Sequence, residues 1–308
     1  MSSAQATLPV RDMALALFAA TMWGINNVIA KEVVTHVPPL LAVATRFALS
    51  GLLLAPMLRI ARVQIKPVLI CAVIAGPMHF GLLYSGFAAA EHIGPVSTVT
   101  QLWIPFATLF AIPLLGERPK LWTTLGMALA FLGVMIMSFD PALFRDVDGF
   151  LLVACASTCW AASTVVARRF GGVPPFALQA WLSMITWPVM LGASALFEHG
   201  QVAAVEAWGW QFWAFSLASA IMAGILGNGL IFWLVRKHPV ALVTPFTLIA
   251  PIVTVILGVI LLGEQLTART ILGTIVTLAG LLIITLRQRQ RFLRTLEQPD
   301  AQRAREVA

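Results

Sequence analysis

The amino-acid sequence predicts an all-α integral membrane protein in which ten transmembrane helices form two five-helix repeats of inverted topology. Three observations predict this fold class: the composition, the number of apolar runs and an internal duplication. Hydrophobic residues make up 59% of the 308-residue chain and charged residues 11%, and the mean hydropathy is +0.90. A soluble domain carries roughly 25% charged residues, so this composition indicates a chain that lies in a lipid bilayer.

Ten apolar runs can be counted at about 20 residues per membrane-spanning helix. They cover residues 13–31, 39–58, 67–88, 96–115, 121–138, 149–167, 176–197, 210–235, 240–262 and 270–286. The polar stretch "FDPALFRDVD" separates the first five runs from the last five. We therefore divide the chain into a first repeat (1–138), an external linker (139–148), a second repeat (149–286) and a basic cytoplasmic tail (287–308).

The duplication is clearest where the stretch Pro95–Gly133 is repeated as Pro239–Gly280. Each copy contains an apolar span interrupted by proline, then a Gly-Glu pair, then a second apolar span. The intervals from the glutamate to the two following glycines are nine and seven residues in both copies. Because each half crosses the membrane an odd number of times, the second half enters from the opposite side, as in an inverted repeat.

The Gly-Glu pairs and the glycines after them have structural interpretations. Glu117 and Glu264 are expected at opposite membrane faces, about 30 Å apart, so they cannot converge on a substrate and are interpreted as turn and cap residues. The later glycines are spaced near two helical turns, which favours close packing between helices, with a dimer interface as the alternative. These glycines are Gly126, Gly133, Gly273 and Gly280.

The positive charges orient the chain, because lysine and arginine favour the cytoplasmic side in short loops. With the N-terminus inside, 16 of the 20 lysines and arginines are cytoplasmic, and only Lys31, Arg145 and Arg269 are external. Both termini are therefore expected in the cytoplasm. The net charge of +7 follows from this topology, so no nucleic-acid partner is expected.

Polar side chains within the first three runs are candidates for a solute cavity, because such groups are costly in hydrocarbon without a partner. Trp23 lies near mid-depth, where an interfacial anchor is not expected, and Asn26 either faces a cavity or bonds to another helix. Arg46 is the only cation firmly inside a predicted span, with a functional or a structural capping role. His79 lies midway along the third run, with Tyr84 five residues later.

The fourth run adds Gln101, Trp103 and Pro105. Pro105 removes a helical hydrogen bond and leaves carbonyls that need a partner, and broken helices at mid-depth often form the binding sites of transporters. The second repeat offers five further candidate cavity residues, which are Trp160, Asn228, Thr244, Pro245 and Thr247.

Four segments resemble a known family: "WGINN", "PPLLAVATRF", "LLGERPKLWTTLGMALAFLGVMIM" and "LLGEQLTARTILGTIVTLAGLLII". Over about residues 12–286 the chain resembles the EamA type of the drug/metabolite transporter superfamily, and within it the exporters of O-acetylserine and cysteine. The resemblance implies ten helices in two inverted halves and export of amino acids or related metabolites across the bacterial inner membrane. The resemblance also implies that functional positions of the family correspond to six residues of this chain: Trp23, Gly24, Asn26, Arg46, Gln101 and Pro251.

These features together predict a secondary transporter for a small amphoteric solute, with a drug exporter of the same superfamily as the alternative. The sequence contains no GxxxxGK[ST] loop, so ATP is not expected as the direct energy source. An integral membrane enzyme needs converging catalytic groups or metal ligands, whereas the predicted spans hold one histidine and no acid. The expected partners are a small-molecule substrate and the bilayer, without a cofactor or metal, in a monomer or a homodimer.

Because the predicted spans contain no aspartate or glutamate, two energy sources for transport remain as alternatives. His79 is the only group in the predicted spans that can change its charge near neutral pH, because arginine stays protonated. Transport is therefore expected to be either facilitative, driven by the gradient of the solute, or coupled to protons through His79 alone.

The predicted topology can be tested with reporter fusions. Fusions after Arg62 and after Arg291 should report a cytoplasmic location, and a fusion at Asp146 should report a periplasmic one, because of the distribution of lysine and arginine. A cytoplasmic signal at Asp146 would contradict the division into five and five crossings.

Overall fold

The structure, a computed structural model, describes residues 8–59, 65–116, 119–138, 146–170, 175–238 and 240–307. These residues form helices joined by short turns, without a strand. The predicted Glu117 and most of the predicted linker, residues 139–145, lie outside the described residues.

The first repeat contains seven α-helices and one π-helical segment. They are α1 (Val10–His36), α2 (Pro39–Leu54), α3 (Ile65–Val73), the π segment Ile74–Met78, α4 (His79–Ala89), α5 (Ile93–Thr100), α6 (Trp103–Leu115) and α7 (Leu121–Ser138). The second repeat follows the same order with one added helix. Its elements are α8 (Val147–Phe170), α9 (Pro175–Phe197), α10 (Gln201–Trp208), α11 (Trp210–Ser219), the π segment Ala220–Gly229, α12 (Leu230–Lys237), α13 (Val240–Thr247), α14 (Ile249–Leu262) and α15 (Ala268–Val307).

Within the described ranges, nine helices are long and apolar enough to cross a membrane, and a shorter apolar helix covers Leu121–Met137. Large apolar side chains are exposed on their outer surfaces, including Leu52, Leu121 and Ile260. A surface of this kind is stable in lipid and unstable in water. The all-helical membrane fold predicted from composition is therefore confirmed, with one of the ten predicted runs forming a helix shorter than a full span.

The third and fourth runs are interrupted at equivalent places in the two repeats. A π-helical segment lies between α3 and α4, and another lies between α11 and α12. The fourth run is broken between α5 and α6, and its counterpart is broken between α13 and α14. Pro105 and Pro251 are each the third residue after the break, and proline cannot donate a hydrogen bond to the carbonyl four residues earlier.

The last helices of the two repeats, α7 and α15, pack backbone against backbone through the predicted glycines. A Cβ atom on Gly126 would lie 2.8 Å from the carbonyl oxygen of Gly280, and one on Gly133 would lie 2.5 Å from that of Gly273. The earlier glycine of α7 thus meets the later glycine of α15, so the two helices run antiparallel. Because α7 and α15 are equivalent elements, this packing shows that the repeats are inverted, and it occupies these glycines within one chain rather than in a dimer.

The helices of the structure differ from the predicted ones in three places. The helix predicted over 13–31 extends over Val10–His36, so Lys31 lies well before the end of α1. Lys31 is tolerated there because its amine donates hydrogen bonds to the carbonyls of Phe87, at 3.0 Å, and Ala90 at the end of α4, and a long side chain reaches such a helix terminus easily. Helix α10 was not predicted, and α15 continues through the basic tail.

The glycine contact between α7 and α15 can be tested with Gly133→Ala. The added methyl group would lie 2.4 Å from the backbone nitrogen of Thr277, and overpacking of this kind costs about 1–3 kcal/mol. We expect a lower midpoint of thermal unfolding for the detergent-solubilised protein. Gly192→Ala is the control, because no heavy atom lies within 4 Å of its added Cβ, and an unfolding midpoint equal for both variants would contradict the packing.

Candidate functional site

A cavity of about 130 Å³ lies where the two repeats meet, and side chains from both repeats line it. An engineered apolar cavity of roughly 150 Å³ holds one benzene molecule, so this space suits a small solute. Nine of the residues singled out in the sequence line this one cavity: Trp23, Asn26, Arg46, His79, Tyr84, Gln101, Trp103, Trp160 and Asn228.

Three other candidates do not line the cavity. Pro105 is buried in the first turn of α6, where it has no N–H to donate to the Gln101 carbonyl, and it is not among the lining residues. Pro245 and the buried Thr247 lie on α13, and at this second break the lining residue is Ala250 of α14. The side chain of Thr244 is outside the described part of the chain.

The break between α5 and α6 presents Gln101 to the cavity. The carbonyls of Val99 and Thr100 lie 3.2 and 3.1 Å from the Ser157 hydroxyl of α8, which provides polar contacts where the helix is interrupted. The Gln101 carbonyl accepts a hydrogen bond from the backbone N–H of Ile104. The side-chain oxygen of Gln101 is buried and has no hydrogen-bond partner among the described residues.

One hydrogen-bonded chain runs along the cavity from Arg46 to Asn26. Arg46 Nη1 donates to the Tyr84 hydroxyl at 2.9 Å, the Tyr84 and Ser219 oxygens are 3.4 Å apart, and the Ser219 hydroxyl donates to Asn26 Oδ1 at 2.6 Å. Since the Ser219 proton points to Asn26, the Tyr84 proton must point to Ser219. Every bond therefore donates away from Arg46, and the Asn26 amide nitrogen keeps its two protons for other partners.

A second hydrogen-bonded chain links Trp23, Asn228 and Gln179. The Trp23 indole nitrogen donates to Asn228 Oδ1 at 2.9 Å, and Asn228 Nδ2 donates to Gln179 Oε1 at 3.2 Å. Trp23 packs directly on Gly227, where a Cβ would lie 2.5 Å from the indole nitrogen. The indole of α1 can reach Asn228 only because residue 227 has no side chain.

His79 is held in one orientation by α8. Its Nδ1 lies 2.8 Å from the carbonyl oxygen of Ala156, and a carbonyl only accepts, so Nδ1 carries a proton. The ring also packs against Phe80 and Trp160, with centroids 4.6 and 4.9 Å away. In the neutral ring Nε2 is then the acceptor.

Several residues of this site were not predicted from the sequence. Asn27 lines the cavity beside Asn26, and its amide donates to the Thr254 hydroxyl at 3.2 Å. Ser219 and Gln179 support the two chains described above. The neighbouring asparagines in "WGINN" could have indicated Asn27, whereas a serine or glutamine in an apolar helix does not reveal which way it faces.

Beyond the Lys31 end of α1, three carboxylates bind backbone N–H groups of distant segments. Glu264 accepts from the N–H groups of Ile93 and Gly94, the latter at 3.0 Å, at the start of α5. Asp146 accepts from the N–H of Glu91 and the ring of His92, and Glu198 accepts from the first N–H groups of α2. The first N–H groups of a helix have no partner within it and attract anions, so these acids fix the loops between helices.

Glu264 is enclosed by glycines, since a Cβ on Gly94 or Gly258 would lie 3.1 or 2.8 Å from its Oε2. Burial raises the pKa of the Glu264 carboxyl above its ordinary value, and the N–H groups of Gly94 and Ile93 act in the opposite direction. The prediction that Glu264 is a cap residue is confirmed, with the difference that it caps α5 of the other repeat.

The other end of α1, about 28 Å away at 1.5 Å per residue, carries a different cluster. Asp12 accepts from Lys237 Nζ at 2.8 Å and lies 2.6 Å from Nε2 of His238. Each end of the cavity-lining helix α1 is therefore tied by polar contacts to the end of another helix. No group of three or more potential metal ligands occurs in the described ranges.

The fold and the cavity together define the class of protein: a membrane transporter built from two inverted repeats around a central polar cavity. The profile of the EamA-like transporter family matches residues 11–139 and 148–286. The chain belongs to the EamA-like transporter family, and the family predicted from the sequence segments is confirmed.

Similar proteins agree with this assignment. A "Probable amino-acid metabolite efflux pump" of Salmonella typhimurium is 26% identical over 282 residues, which cover 89% of this chain and 94% of that protein. An Escherichia coli protein with the same description is 25% identical over 287 residues, with the same shares covered. A solved crystal structure superposes with a TM-score of 0.64 at 20% identity, over 92% of this chain and 99% of that chain, which shows a shared fold.

Proposed function

We propose that this protein is a secondary transporter that exports amino acids or related small metabolites, including cysteine-like and O-acetylserine-like solutes, across the bacterial inner membrane. It acts by alternating access, without catalysing a reaction, and both termini lie in the cytoplasm. The observation that carries the proposal is the polar cavity between the two inverted repeats. Membership of the EamA-like transporter family and the similarity to the two efflux pumps also support an export function.

The cavity supports a small polar solute over a bulky drug. Its volume of about 130 Å³ is close to that of a cavity that holds a single benzene molecule, roughly 150 Å³. Its walls combine the three tryptophans Trp23, Trp103 and Trp160 with amide side chains. Such a mixture of apolar surface and a few placed polar groups is typical of small-molecule sites.

The interrupted helices provide the parts that alternating access needs. The two π segments and the two helix breaks occupy equivalent places in the repeats, and irregular segments are the points at which a helix bends or swings. The two halves of such a helix can then open one side of the cavity while the other remains packed.

Transport and its dependence on the cavity can be measured by counterflow in proteoliposomes. Vesicles preloaded with unlabelled L-cysteine or O-acetyl-L-serine should accumulate the labelled solute faster than vesicles without protein. Gln101→Ala should lower the initial rate by roughly tenfold or more, since one lost hydrogen bond to a charged group is worth about 1.5–3 kcal/mol.

The control is Gln211→Ala, which makes the same change at an exposed position of α11 and should leave the rate unchanged. All variants are compared at equal amounts of monodisperse protein. If Gln101→Ala and Asn228→Ala both transport at the wild-type rate, the cavity is not the solute site.

For the energy source, we propose facilitative transport. Among the described residues the cavity has no carboxylate lining, and acidic side chains are the usual proton carriers within membranes. His79, the remaining candidate, is buried, and a buried charge is costly without a partner of opposite charge.

The energy source can be tested by imposing a pH gradient on the same vesicles. Wild-type flux should be the same with and without the gradient. His79→Gln retains hydrogen bonding but cannot titrate, so a wild-type response that this variant abolishes would identify His79 as the proton carrier. A response that persists in His79→Gln would contradict both alternatives.

A further inference from the structure

Arg46 is the only permanently charged side chain that lines the cavity in the described part of the chain. It lies on α2 and is 3% exposed. A buried charge without a partner of opposite charge is costly, so its presence in the wall of a cavity calls for an explanation.

The residues around Arg46 compensate its charge and its hydrogen-bond donors only in part. The guanidinium lies over the rings of Phe47 and Phe80, with its central carbon 4.9 and 4.8 Å from their centroids, and cation–π contacts compensate some of the lost hydration. Its hydrogen bond goes to the Tyr84 hydroxyl, and its Nε has no hydrogen-bond partner among the described residues. A guanidinium offers five N–H donors, and the described residues provide a hydrogen-bond acceptor for one of them, at Nη1.

A purely structural role would show itself in bonds to the protein. An arginine that caps a helix donates to backbone carbonyls, and an arginine in a structural ion pair lies within 4 Å of a carboxylate. Within the described residues, Arg46 does neither. Lys31 shows the contrast, because its amine is used by the carbonyls of Phe87 and Ala90.

The remaining polar atoms of the cavity divide into donors and acceptors. The chain from Arg46 ends at the Asn26 oxygen, and the Asn26 amide nitrogen, which has no hydrogen-bond partner among the described residues, adds a donor to the guanidinium. Gln101 contributes a buried oxygen without a partner in the described residues, and His79 contributes Nε2. The donors match a carboxylate and the acceptors match an ammonium group, which are the two charged ends of an amino acid.

We propose that Arg46 binds the carboxylate of the transported solute and thereby restricts transport to zwitterions and carboxylate anions. This inference rests on the proposed function and names the chemical class of its substrates. The planar guanidinium matches a carboxylate with two parallel hydrogen bonds. Its fixed positive charge repels cationic drugs, which distinguishes this cavity from one that exports them.

Binding can be measured on the purified full chain in detergent, because Trp23, Trp103 and Trp160 line the cavity and a bound solute should change their fluorescence. Each of four amino acids is compared with the amine that lacks only its carboxylate. The pairs are L-cysteine with cysteamine, L-serine with ethanolamine, L-leucine with isoamylamine and L-phenylalanine with phenethylamine. For every amino acid that binds, we expect at least about a tenfold preference over its amine, because a charge-assisted bidentate contact is lost.

The variant Arg46→Gln should reduce this preference to about twofold or less, since the neutral amide cannot replace the charge. Arg46→Lys keeps the charge but loses the planar fork, so it should give an intermediate preference. Arg59→Gln is the control, because it removes an arginine at an exposed position after α2 and should retain the wild-type preference.

Equal binding of acids and amines by the wild type would overturn the inference, and this result does not depend on whether any variant folds. A folded Arg46→Gln that retains the wild-type preference would overturn it as well. If propionate or lactate binds through Arg46 but no amino acid binds, the proposed amino-acid function fails and the role of Arg46 stands. If none of these carboxylates binds, both fail.

Discussion

The structure depends on one constraint of the lipid environment: a backbone N–H or C=O that a helix does not use must find its partner inside the protein. The interrupted helices leave several such groups near the middle of the molecule. The hydroxyl of Ser157 lies beside the carbonyls at the end of α5, and the carboxylate of Glu264 binds the N–H groups at its start. The broken helix is thus supported at both ends by side chains of the second repeat.

The irregular helical segments also determine where polar side chains line the cavity. Gln101 occupies the turn between α5 and α6, His79 follows the π segment Ile74–Met78, and Asn228 lies within the π segment Ala220–Gly229. An added residue in a helix turns the following side chains to a new direction, and such segments are frequent at functional sites. Here they aim polar groups inward from helices whose other faces must remain apolar for the lipid.

The sequence was sufficient for the membrane class, the duplication and nine of the cavity residues, because each depends on composition, repeated spacing or a polar group that hydrocarbon does not tolerate. It was insufficient where the outcome depends on the partner helix. Lys31 ends the predicted first span, whereas α1 continues past it and the carbonyls at the end of α4 accept its hydrogen bonds.

The second helix break contributes to the cavity differently from the prediction. Thr244, Pro245 and Thr247 were predicted to line the cavity because interrupted helices often form the binding sites of transporters. The structure places Gln101 and Ala250 on the cavity, with Pro245 and Thr247 away from it. Two repeats can share a fold while their side chains diverge, and only the three-dimensional packing reveals which copy lines the cavity.

The contact between α7 and α15 limits how this molecule can move. Packed helices usually slide past each other by small changes of side-chain rotamers, which is shear motion, whereas hinge motion leaves packed surfaces intact. At Gly126, Gly133, Gly273 and Gly280 the two backbones touch directly, so no rotamers are available to absorb a sliding step. This contact therefore favours hinge motion of the other helices over sliding of α7 against α15.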